Sequence, residues 1–277
     1  MRKNNGRDYC GCWPFLSRSS LHLSLIRHAM RIGVWLRIGL LVSLGTSYAF
    51  AAPVPIELFD SQGCSSCPPA EKALQELENE FGADVLPLDF HVDYWDRLGW
   101  KDTFSSAEAT ARQRYYAKAL RQAEMYTPEM VIQGHVGFVG SDRQQARNEV
   151  EKRLKQPSPE LALQAKGSLA SSSLTVSFQL PDELAAQKPS VTVVVYENAD
   201  PVHVKKGENA GALMSGRYAV REFWTIPERI SPAYQIPIQL KPAWNAEKTG
   251  VAILVQAASS DIVAASRYFP LSAALHP

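Results

Sequence analysis

Residues 54–70 read VPIELFDSQGCSSCPPA, and this stretch decides the fold. The apolar run over residues 54–59 predicts a short buried strand, and a loop rich in Ser, Gly and Cys follows it. From Pro68 onward, apolar residues recur at three- and four-residue spacing, which predicts a helix with one buried face. Cys64 and Cys67 therefore form a CxxC pair between a strand and the start of a helix.

A CxxC pair in this setting can exchange disulfides with a substrate. The attacking species is a thiolate, which the partial positive charge of a helix N-terminus favours. We therefore expect Cys64 to attack and Cys67 to release the substrate from the mixed disulfide. Pro68-Pro69 fits best in the first helical turn, so the helix is expected to begin at or after Cys67, with Cys64 in the loop. The same spacing also permits a metal site or a disulfide that only staples the loop.

The following segment continues the alternation of strand and helix. Residues 85–93 predict a strand with Leu86, Leu88, Phe90 and Val92 on one face. Its other face would carry Asp89, His91 and Asp93. After a polar, aromatic loop we expect a second helix, whose buried face would consist of Phe104, Ala107, Ala111, Tyr115, Ala119 and Ala123.

A hairpin and a third helix complete this part of the chain. Two short strands over residues 129–133 and 136–139 are separated by Gly134-His135, a gap of turn length. Ser141 is expected to cap the third helix. The element order predicts an α/β domain with a mixed sheet and flanking helices.

Beyond the linker Gln156-Pro157-Ser158-Pro159 the helical period disappears. Six runs have strand character and are separated by turn residues, which predicts an all-β, sandwich-like second domain. These runs cover residues 174–180, 190–196, 219–226, 236–240, 251–257 and 262–269. The predicted organisation is a leader over residues 1–51, an α/β domain over 52–156 and a β-rich domain over 160–277.

The first 51 residues have the features of an export signal. A short basic region begins at Met30, an apolar stretch covers residues 38–44, and Ala49-Phe50-Ala51 predicts cleavage after Ala51. Translation is expected to start at Met30, in which case Cys10 and Cys12 are absent from the mature protein. The leader therefore predicts a periplasmic or secreted protein, and export would place the remaining pair in an oxidising compartment, where a disulfide is stable. The alternative is an uncleaved signal anchor, the one predicted contact with a membrane.

The charge distribution bears on the partners. The first 51 residues carry seven Lys and Arg against one acid, and the remaining residues carry 22 against 27. A mildly acidic mature protein argues against nucleic acid as the main partner.

A proline before the hairpin adds a second element. Pro128 follows Tyr126-Thr127 and directly precedes the first hairpin strand. This placement resembles the cis-proline loop of the thioredoxin-like superfamily, and the resemblance extends over residues 54–154. It implies a cis Thr127–Pro128 bond beside the CxxC and a role for Thr127 and Pro128 in holding an extended substrate.

Several blocks also resemble an uncharacterised family of secreted bacterial proteins, the domain of unknown function 1223. They are ELFDSQGCSSCPPA (57–70), HVDYWD (91–96), YTP (126–128) and KGENAG (206–211). The resemblance covers nearly all of the mature chain and implies a thioredoxin-like fold.

The aromatic loop and the polar strand face allow further interpretations. Tyr94, Trp95 and Trp100 either form a platform for an apolar substrate segment, with Trp95 in the substrate site, or cover the domain core. Gly207 to Gly211 is expected to form a plain hairpin turn rather than a ligand loop. The acids and histidine of the second strand could join the thiols in a soft-metal site for zinc or copper(I).

The sequence thus predicts an exported thioredoxin-like thiol–disulfide oxidoreductase with Cys64 and Cys67 as its catalytic pair. Its substrate would be a protein or small-molecule thiol or disulfide, and no cofactor or bound metal is expected. Two alternatives from other classes remain: a binding protein whose disulfide is structural, and a zinc or copper carrier.

Overall fold

The structure, a computed structural model, describes residues 52–156, 158–159, 161–168, 172–227 and 232–276. The predicted leader, its start at Met30 and its cleavage site lie outside these residues. The elements of the first half follow the predicted order closely. They are β1 (Val54–Asp60), α1 (Pro68–Phe81), β2 (Val85–His91), α2 (Ala107–Ala119), β3 (Glu129–Ile132), β4 (Val136–Val139) and α3 (Arg143–Leu154).

The second half is built mostly from strands, as its alternating patterns predict. Its elements are β5 (Gln164–Ser168), β6 (Ser173–Gln179), α4 (Asp182–Ala185), β7 (Ser190–His203), β8 (Leu213–Ile226), β9 (Ala233–Gln239), β10 (Thr249–Gln256), β11 (Ile262–Tyr268) and β12 (Leu275–His276). Short 3-10 helices cover Gly82–Asp84, Asp93–Leu98 and Leu271–Ala274. Within the described ranges, no helix is long and apolar enough to cross a membrane.

Two sheets organise the described residues. The larger is an eight-stranded mixed sheet in the order β11-β10-β7-β8-β2-β1-β3-β4, and the smaller has the order β12-β5-β6-β9. β1 and β2 pair in parallel, whereas β3 and β4 continue the sheet antiparallel. β8 joins β2 in parallel through Asp89 and Ala219, so strands from both halves of the chain share one sheet.

The helices pack on both faces of β1 and β2. On one face, Ile56 and Leu58 of β1 meet Leu74 of α1 and Val150 of α3. On the other, Phe59 and Leu88 contact Tyr116 of α2. The smaller sheet packs its apolar side chains against β7 and β10, forming a third core cluster that includes Val176, Ile236 and Ile253.

α1 begins where the double proline predicts. Cys67 is its N-cap residue and Pro68 occupies the first helical position, where a missing N–H costs no hydrogen bond. The helix ends at Gly82, whose φ of 56° is easy for glycine, and the Gly82 N–H donates to the Glu78 carbonyl. Cys64 therefore lies in the preceding loop.

Two expectations about the other helices are wrong. The buried face of α2 carries Ala109, Arg112, Gln113 and Tyr116, while Tyr115 of the predicted face is 42% exposed. Polar α2 residues are buried because they pair with acids of the sheet, a preference that apolar periodicity does not register.

The N-cap of α3 also differs from the expectation. It is Asp142 rather than Ser141, since the Asp142 carboxylate accepts the Gln145 N–H at 3.0 Å. Ser and Asp are both good N-cap residues, so the residue types alone do not indicate which of these two adjacent positions caps the helix.

Candidate functional site

Cys64 and Cys67 form a disulfide at the start of α1. Their Cα atoms are 5.4 Å apart, and both residues are completely buried, while Ser65 and Ser66 between them are exposed. The Cys67 carbonyl accepts the N–H groups of Ala70 and Glu71 and is the first acceptor of the helix. Cys67 thus caps the helix and Cys64 lies in the loop just before it, while the two serines between them are exposed.

The segment around Pro128 lies against this disulfide. The Thr127–Pro128 peptide bond is cis, as the resemblance implies. The Thr127 hydroxyl lies 3.4 Å from the Cys64 sulfur, and the Trp95 indole N–H donates to that hydroxyl at 2.8 Å. The Pro128 carbonyl is fixed by the Gly140 N–H at 2.9 Å. The three residues expected to contact substrate, Thr127, Pro128 and Trp95, are therefore brought together beside Cys64.

The aromatic loop serves two purposes. Tyr94 and Trp95 pack their rings against the core cluster on the α2 side of the sheet, and Trp95 also reaches Thr127. Trp100 donates its indole N–H to the Gln62 side chain at 3.0 Å, within the loop that carries the cysteines. The aromatic residues therefore both cover the core and hold the site loop.

The turn between β7 and β8 (residues 204–212, the hairpin tip) also contacts the site. Glu208 accepts hydrogen bonds from the Ser65 N–H at 3.0 Å and the Ser65 hydroxyl at 2.7 Å. The Asn209 side-chain amide donates to the carbonyls of Gln62 and Cys64 at 3.0 and 2.8 Å. These contacts cover the disulfide loop from a segment more than 140 residues away.

Sequence reasoning missed this role of the hairpin tip and predicted only a turn there. The segment does form a turn, with Gly207 and Gly211 at positive φ. The available signal was the block KGENAG, in which one acid and one amide stand between two turn glycines. Nothing in that block indicates which loop the two side chains reach.

A buried group of acids surrounds His91 next to the disulfide loop. The His91 Nδ1 atom lies 2.8 Å from Asp102 Oδ2 and 3.5 Å from Asp60 Oδ1, and Nε2 lies 3.6 Å from Asp89 Oδ2. All four side chains are almost fully buried. Asp102 also accepts the Gln62 N–H at 2.6 Å, which links the acid group to the loop of the cysteines.

Burial and mutual charge shift the pKa values in this group. Burial raises the pKa of Asp60 well above its ordinary value, and the Asp89 carboxylate adds to the effect. Burial alone would lower the pKa of His91, but the surrounding carboxylates, Asp102 foremost, outweigh it and raise that pKa. Burial opposes ionisation of Asp102 as well, yet the His91 charge and several hydrogen bonds hold its pKa below the ordinary value.

Glu71 of α1 extends the acid group. One of its oxygens accepts the Ser215 N–H at 3.0 Å, while the other is buried. Burial, together with the charge of Asp89, raises the pKa of Glu71 to about 8.

The soft-metal alternative required the thiols and the polar face of the second strand to act together, and the structure separates these groups. Both thiols are engaged in the disulfide. Asp93 lies beyond the end of β2 and accepts a hydrogen bond from the Thr110 hydroxyl at 2.6 Å, so its carboxylate is directed to α2. Asp89 and His91 remain together, but their third partner is Asp60.

A cavity of about 510 Å³ lies away from the disulfide. It opens between α2 and the sheet, and Tyr115, Phe223 and Trp224 line part of it. None of the residues at the disulfide contributes to its walls. The disulfide therefore lies outside this cavity.

Comparison with known proteins agrees with this architecture. The family model described as "Protein of unknown function (DUF1223)" matches residues 55–256. A crystal structure of a protein from Agrobacterium tumefaciens is 29% identical and has a TM-score of 0.59, with 79% of this chain and 94% of that chain covered. HBP35 of Porphyromonas gingivalis is similar in fold, with 17% identity, a TM-score of 0.57 and coverage of 82% of this chain and 77% of that chain. No curated protein matches the sequence. Because the family model spans well over half of its length, the chain belongs to the DUF1223 family.

Proposed function

We propose that this protein is an exported thioredoxin-like thiol–disulfide oxidoreductase that uses the Cys64–Cys67 pair. The observation that carries the proposal is the Thr127 hydroxyl, which lies 3.4 Å from the Cys64 sulfur and directly precedes the cis proline. A hydroxyl that can donate to this sulfur stabilises a thiolate there, and the thiolate is the reactive species. The placement of the pair at the N-terminus of α1 acts in the same direction.

The element arrangement of residues 52–156 supports the thioredoxin-like part of the proposal. β1 and β2 run parallel, and the β3–β4 hairpin extends the sheet antiparallel. α1 and α3 pack on one face and α2 on the other. This two-faced layering around a mixed sheet places the CxxC after the end of β1 and beside the Pro128 segment.

The reaction consists of two thiol–disulfide exchanges. In the reduced protein, the Cys64 thiolate attacks one sulfur of a substrate disulfide, which forms a mixed disulfide and releases one substrate thiolate. The Cys67 thiolate then attacks the Cys64 sulfur, which closes the internal disulfide and releases the second substrate thiolate. The substrate gains two electrons and the protein loses two, and the reverse sequence oxidises a dithiol substrate.

The substrate in this proposal is a protein or small-molecule thiol or disulfide. Among the described residues, the Thr127 carbonyl accepts one long hydrogen bond, 3.5 Å from the Ser66 hydroxyl, so it could also accept an N–H of an extended substrate. Trp95 would contact the substrate beside it. The two electrons pass directly between the sulfur atoms of the protein and those of the substrate, so the mechanism requires no organic cofactor.

The decisive experiment measures turnover of insulin and of a scrambled disulfide substrate by the purified mature protein. We expect activity in the wild type, loss of activity in Cys64→Ser, and a stable mixed disulfide with substrate in Cys67→Ser. Equal turnover by the wild type and Cys64→Ser would refute the catalytic proposal.

A second candidate is a binding protein in which the same disulfide only staples the loop. The burial of both cysteines and the hydrogen bonds from the hairpin tip favour it, because attack on a sulfur requires access. A very low reduction potential, combined with no partner trapped by Cys67→Ser in cells, would support this candidate over the enzyme.

Export belongs to the proposal and rests on the basic and apolar features of residues 30–51. Fractionation of cells that produce the full chain tests it, with N-terminal sequencing of the product. We expect a periplasmic or secreted protein that begins at Ala52, whereas a cytoplasmic product with an intact N-terminus would contradict export.

A further inference from the structure

The acid group around His91 contains an unusual number of buried polar atoms without a hydrogen bond among the described residues. They are both carboxylate oxygens of Asp60, Oδ1 of Asp89, Nε2 of His91 and Oε1 of Glu71. Asp60, Asp89 and His91 are each at most 2% exposed. A buried polar atom without a partner costs about 1–3 kcal/mol, so such a concentration indicates a missing partner.

The charge of the group indicates the kind of partner. Four carboxyl groups, those of Asp60, Glu71, Asp89 and Asp102, stand near a single imidazole. Among the described residues, no Lys or Arg forms an ion pair with any of the four. Buried carboxylates are stable when they are paired or when they bind a metal.

The geometry of His91 suits a metal ligand. Its Nδ1 atom lies 2.8 Å from Asp102, so a neutral imidazole that donates from Nδ1 to this carboxylate has a lone pair on Nε2. Metal-bound histidines commonly have this arrangement, in which a carboxylate orients the ring and fixes the tautomer. Nε2 has no hydrogen-bond partner of its own and lies 3.6 Å from Asp89 Oδ2.

We propose that Asp60, Asp89 and His91 bind one divalent transition-metal ion, of the Zn²⁺ or Mn²⁺ type, beside the disulfide loop. One ligand atom from each of the three lies within 4.8 Å of the others. Ligands at about 2.1 Å from a tetrahedral ion are roughly 3.4 Å apart, so the observed 3.6 Å between Nε2 and Asp89 requires little movement.

The donor set selects the class of metal. One imidazole nitrogen with carboxylate oxygens suits Zn²⁺ and Mn²⁺, whereas Ca²⁺ takes six or more oxygen ligands. The site is distinct from the soft-metal alternative considered from the sequence, since it includes neither thiol and replaces Asp93 by Asp60. It does not depend on the proposed redox activity, and Asp102 acts in it as a positioning residue that orients His91.

The test measures the metal content of the full mature protein, purified oxidised and without chelator or histidine tag. Elemental analysis comes first, followed by removal of metal and titration with ZnCl₂ or MnCl₂ alone. We expect about one equivalent of metal in the wild type, with an affinity at least about tenfold lower in Asp60→Asn and in His91→Gln. The Cys64→Ser/Cys67→Ser double variant should bind like the wild type, which separates this site from the thiols.

A surface variant provides the matched control. His135 pairs with Asp261 and both are substantially exposed, so His135→Gln removes another histidine–carboxylate pair without touching the buried group. Its metal content should equal that of the wild type. Binding that is lost in His135→Gln but retained in both buried variants would overturn the proposal.

A wild-type measurement decides the matter even if the buried variants fail to fold. A metal that binds only the folded state raises the melting temperature, and the increase grows with the logarithm of the free metal concentration once that exceeds the dissociation constant. Anomalous diffraction from crystals of the loaded protein would locate the ion between Asp60, Asp89 and His91. The proposal fails if the wild type contains less than about a tenth of an equivalent of metal as purified, and still does so after incubation or refolding with ZnCl₂ or MnCl₂. It also fails if the anomalous signal lies elsewhere in the protein.

Discussion

Trp95 donates its indole N–H to the hydroxyl oxygen of Thr127 across 2.8 Å. An indole is only a donor, so it occupies a lone pair of the hydroxyl and leaves the hydroxyl hydrogen for another acceptor. The Cys64 sulfur, 3.4 Å from the same oxygen, is that acceptor. The indole thus directs the Thr127 hydroxyl at the sulfur that is expected to attack.

This relationship predicts a change in the reactivity of Cys64. In the reduced protein, Thr127→Val removes the hydrogen bond to the thiolate, which is worth about 1 kcal/mol. The rate of Cys64 alkylation by iodoacetamide at pH 7 should therefore fall about fivefold. Trp95→Phe should give a smaller decrease, since the hydroxyl remains but loses its orientation.

Thr127→Ser is the control for this measurement, because it keeps the hydroxyl and should react at the wild-type rate. Alkylation measured in a Cys67→Ala background avoids a signal from the second thiol. Equal rates for the valine and serine variants would show that the hydroxyl does not influence the sulfur.

The hairpin tip should limit access to the disulfide. Asn209→Ala removes two hydrogen bonds, to the carbonyls of Gln62 and Cys64, each worth about 1 kcal/mol. We expect reduction of the disulfide by dithiothreitol to become about tenfold faster, because the disulfide loop separates more often from its cover.

Asn148→Ala is the matched control for the hairpin tip, since Asn148 is exposed and its amide oxygen accepts a hydrogen bond from Gln144 on the surface of α3. This variant should be reduced at the wild-type rate. A wild-type rate in Asn209→Ala as well would mean that the hairpin tip does not limit access.

The sequence determined much of the first half because its signals are local. The CxxC, the double proline and Pro128 each act through neighbouring residues, and α1 begins at the expected position. The contact between Asn209 and the Cys64 carbonyl joins residues 145 positions apart, and no pattern near either one encodes the other. The same applies to the pairing of Asp89 with Ala219, through which β8 enters the sheet.

The buried face of α2 shows a second limit of sequence patterns. An apolar stripe predicts burial only when the interior is apolar, and here the interior includes Glu57 and Glu129 on neighbouring strands. These acids attract Arg112 and Gln113, which rotates the helix away from its alanine stripe. The partners of a buried charge are set by tertiary structure, so helical periodicity alone pointed to the wrong face.

The buried pair of Glu57 and Arg112 should be essential to stability. Arg112 donates to both carboxylate oxygens of Glu57, and the Tyr116 hydroxyl donates to Glu57 Oε1 at 2.6 Å. Glu57→Gln leaves the buried guanidinium without a counter-charge, so we expect the free energy of unfolding to fall by about 3 kcal/mol. Urea denaturation followed by circular dichroism measures the change.

The surface pair of Glu80 and Arg147 provides the comparison for Glu57. Both side chains are more than 40% exposed, and Glu80→Gln should change the free energy of unfolding by less than about 1 kcal/mol. A loss in Glu57→Gln no larger than that in Glu80→Gln would show that the buried ion pair contributes no special stability.

Glu129 should make stability depend on pH. Burial raises its pKa above the ordinary 4.5, although the amides of Gln113 and Gln122 donate to the carboxylate and partly offset the effect. A raised pKa means that the folded protein holds this proton more tightly than the unfolded chain. The stability that the protonated group contributes is complete below pH 4.5 and is lost as the pH rises through the folded-state value.

Glu129→Gln has no proton to lose at this position, so its free energy of unfolding should increase relative to the wild type as the pH rises through that window. The substitution also places an amide opposite the amides of Gln113 and Gln122, which has a free-energy cost of its own. That cost is the same at every pH, so it shifts the difference between variant and wild type without changing its slope. Urea denaturation at several pH values between 4 and 8 gives the difference directly. Glu124→Gln, at an exposed position on the same segment, should show a flat difference. A flat difference in Glu129→Gln would mean that the buried carboxyl ionises as easily in the folded protein as in the unfolded chain, since only an unequal affinity for the proton produces a slope.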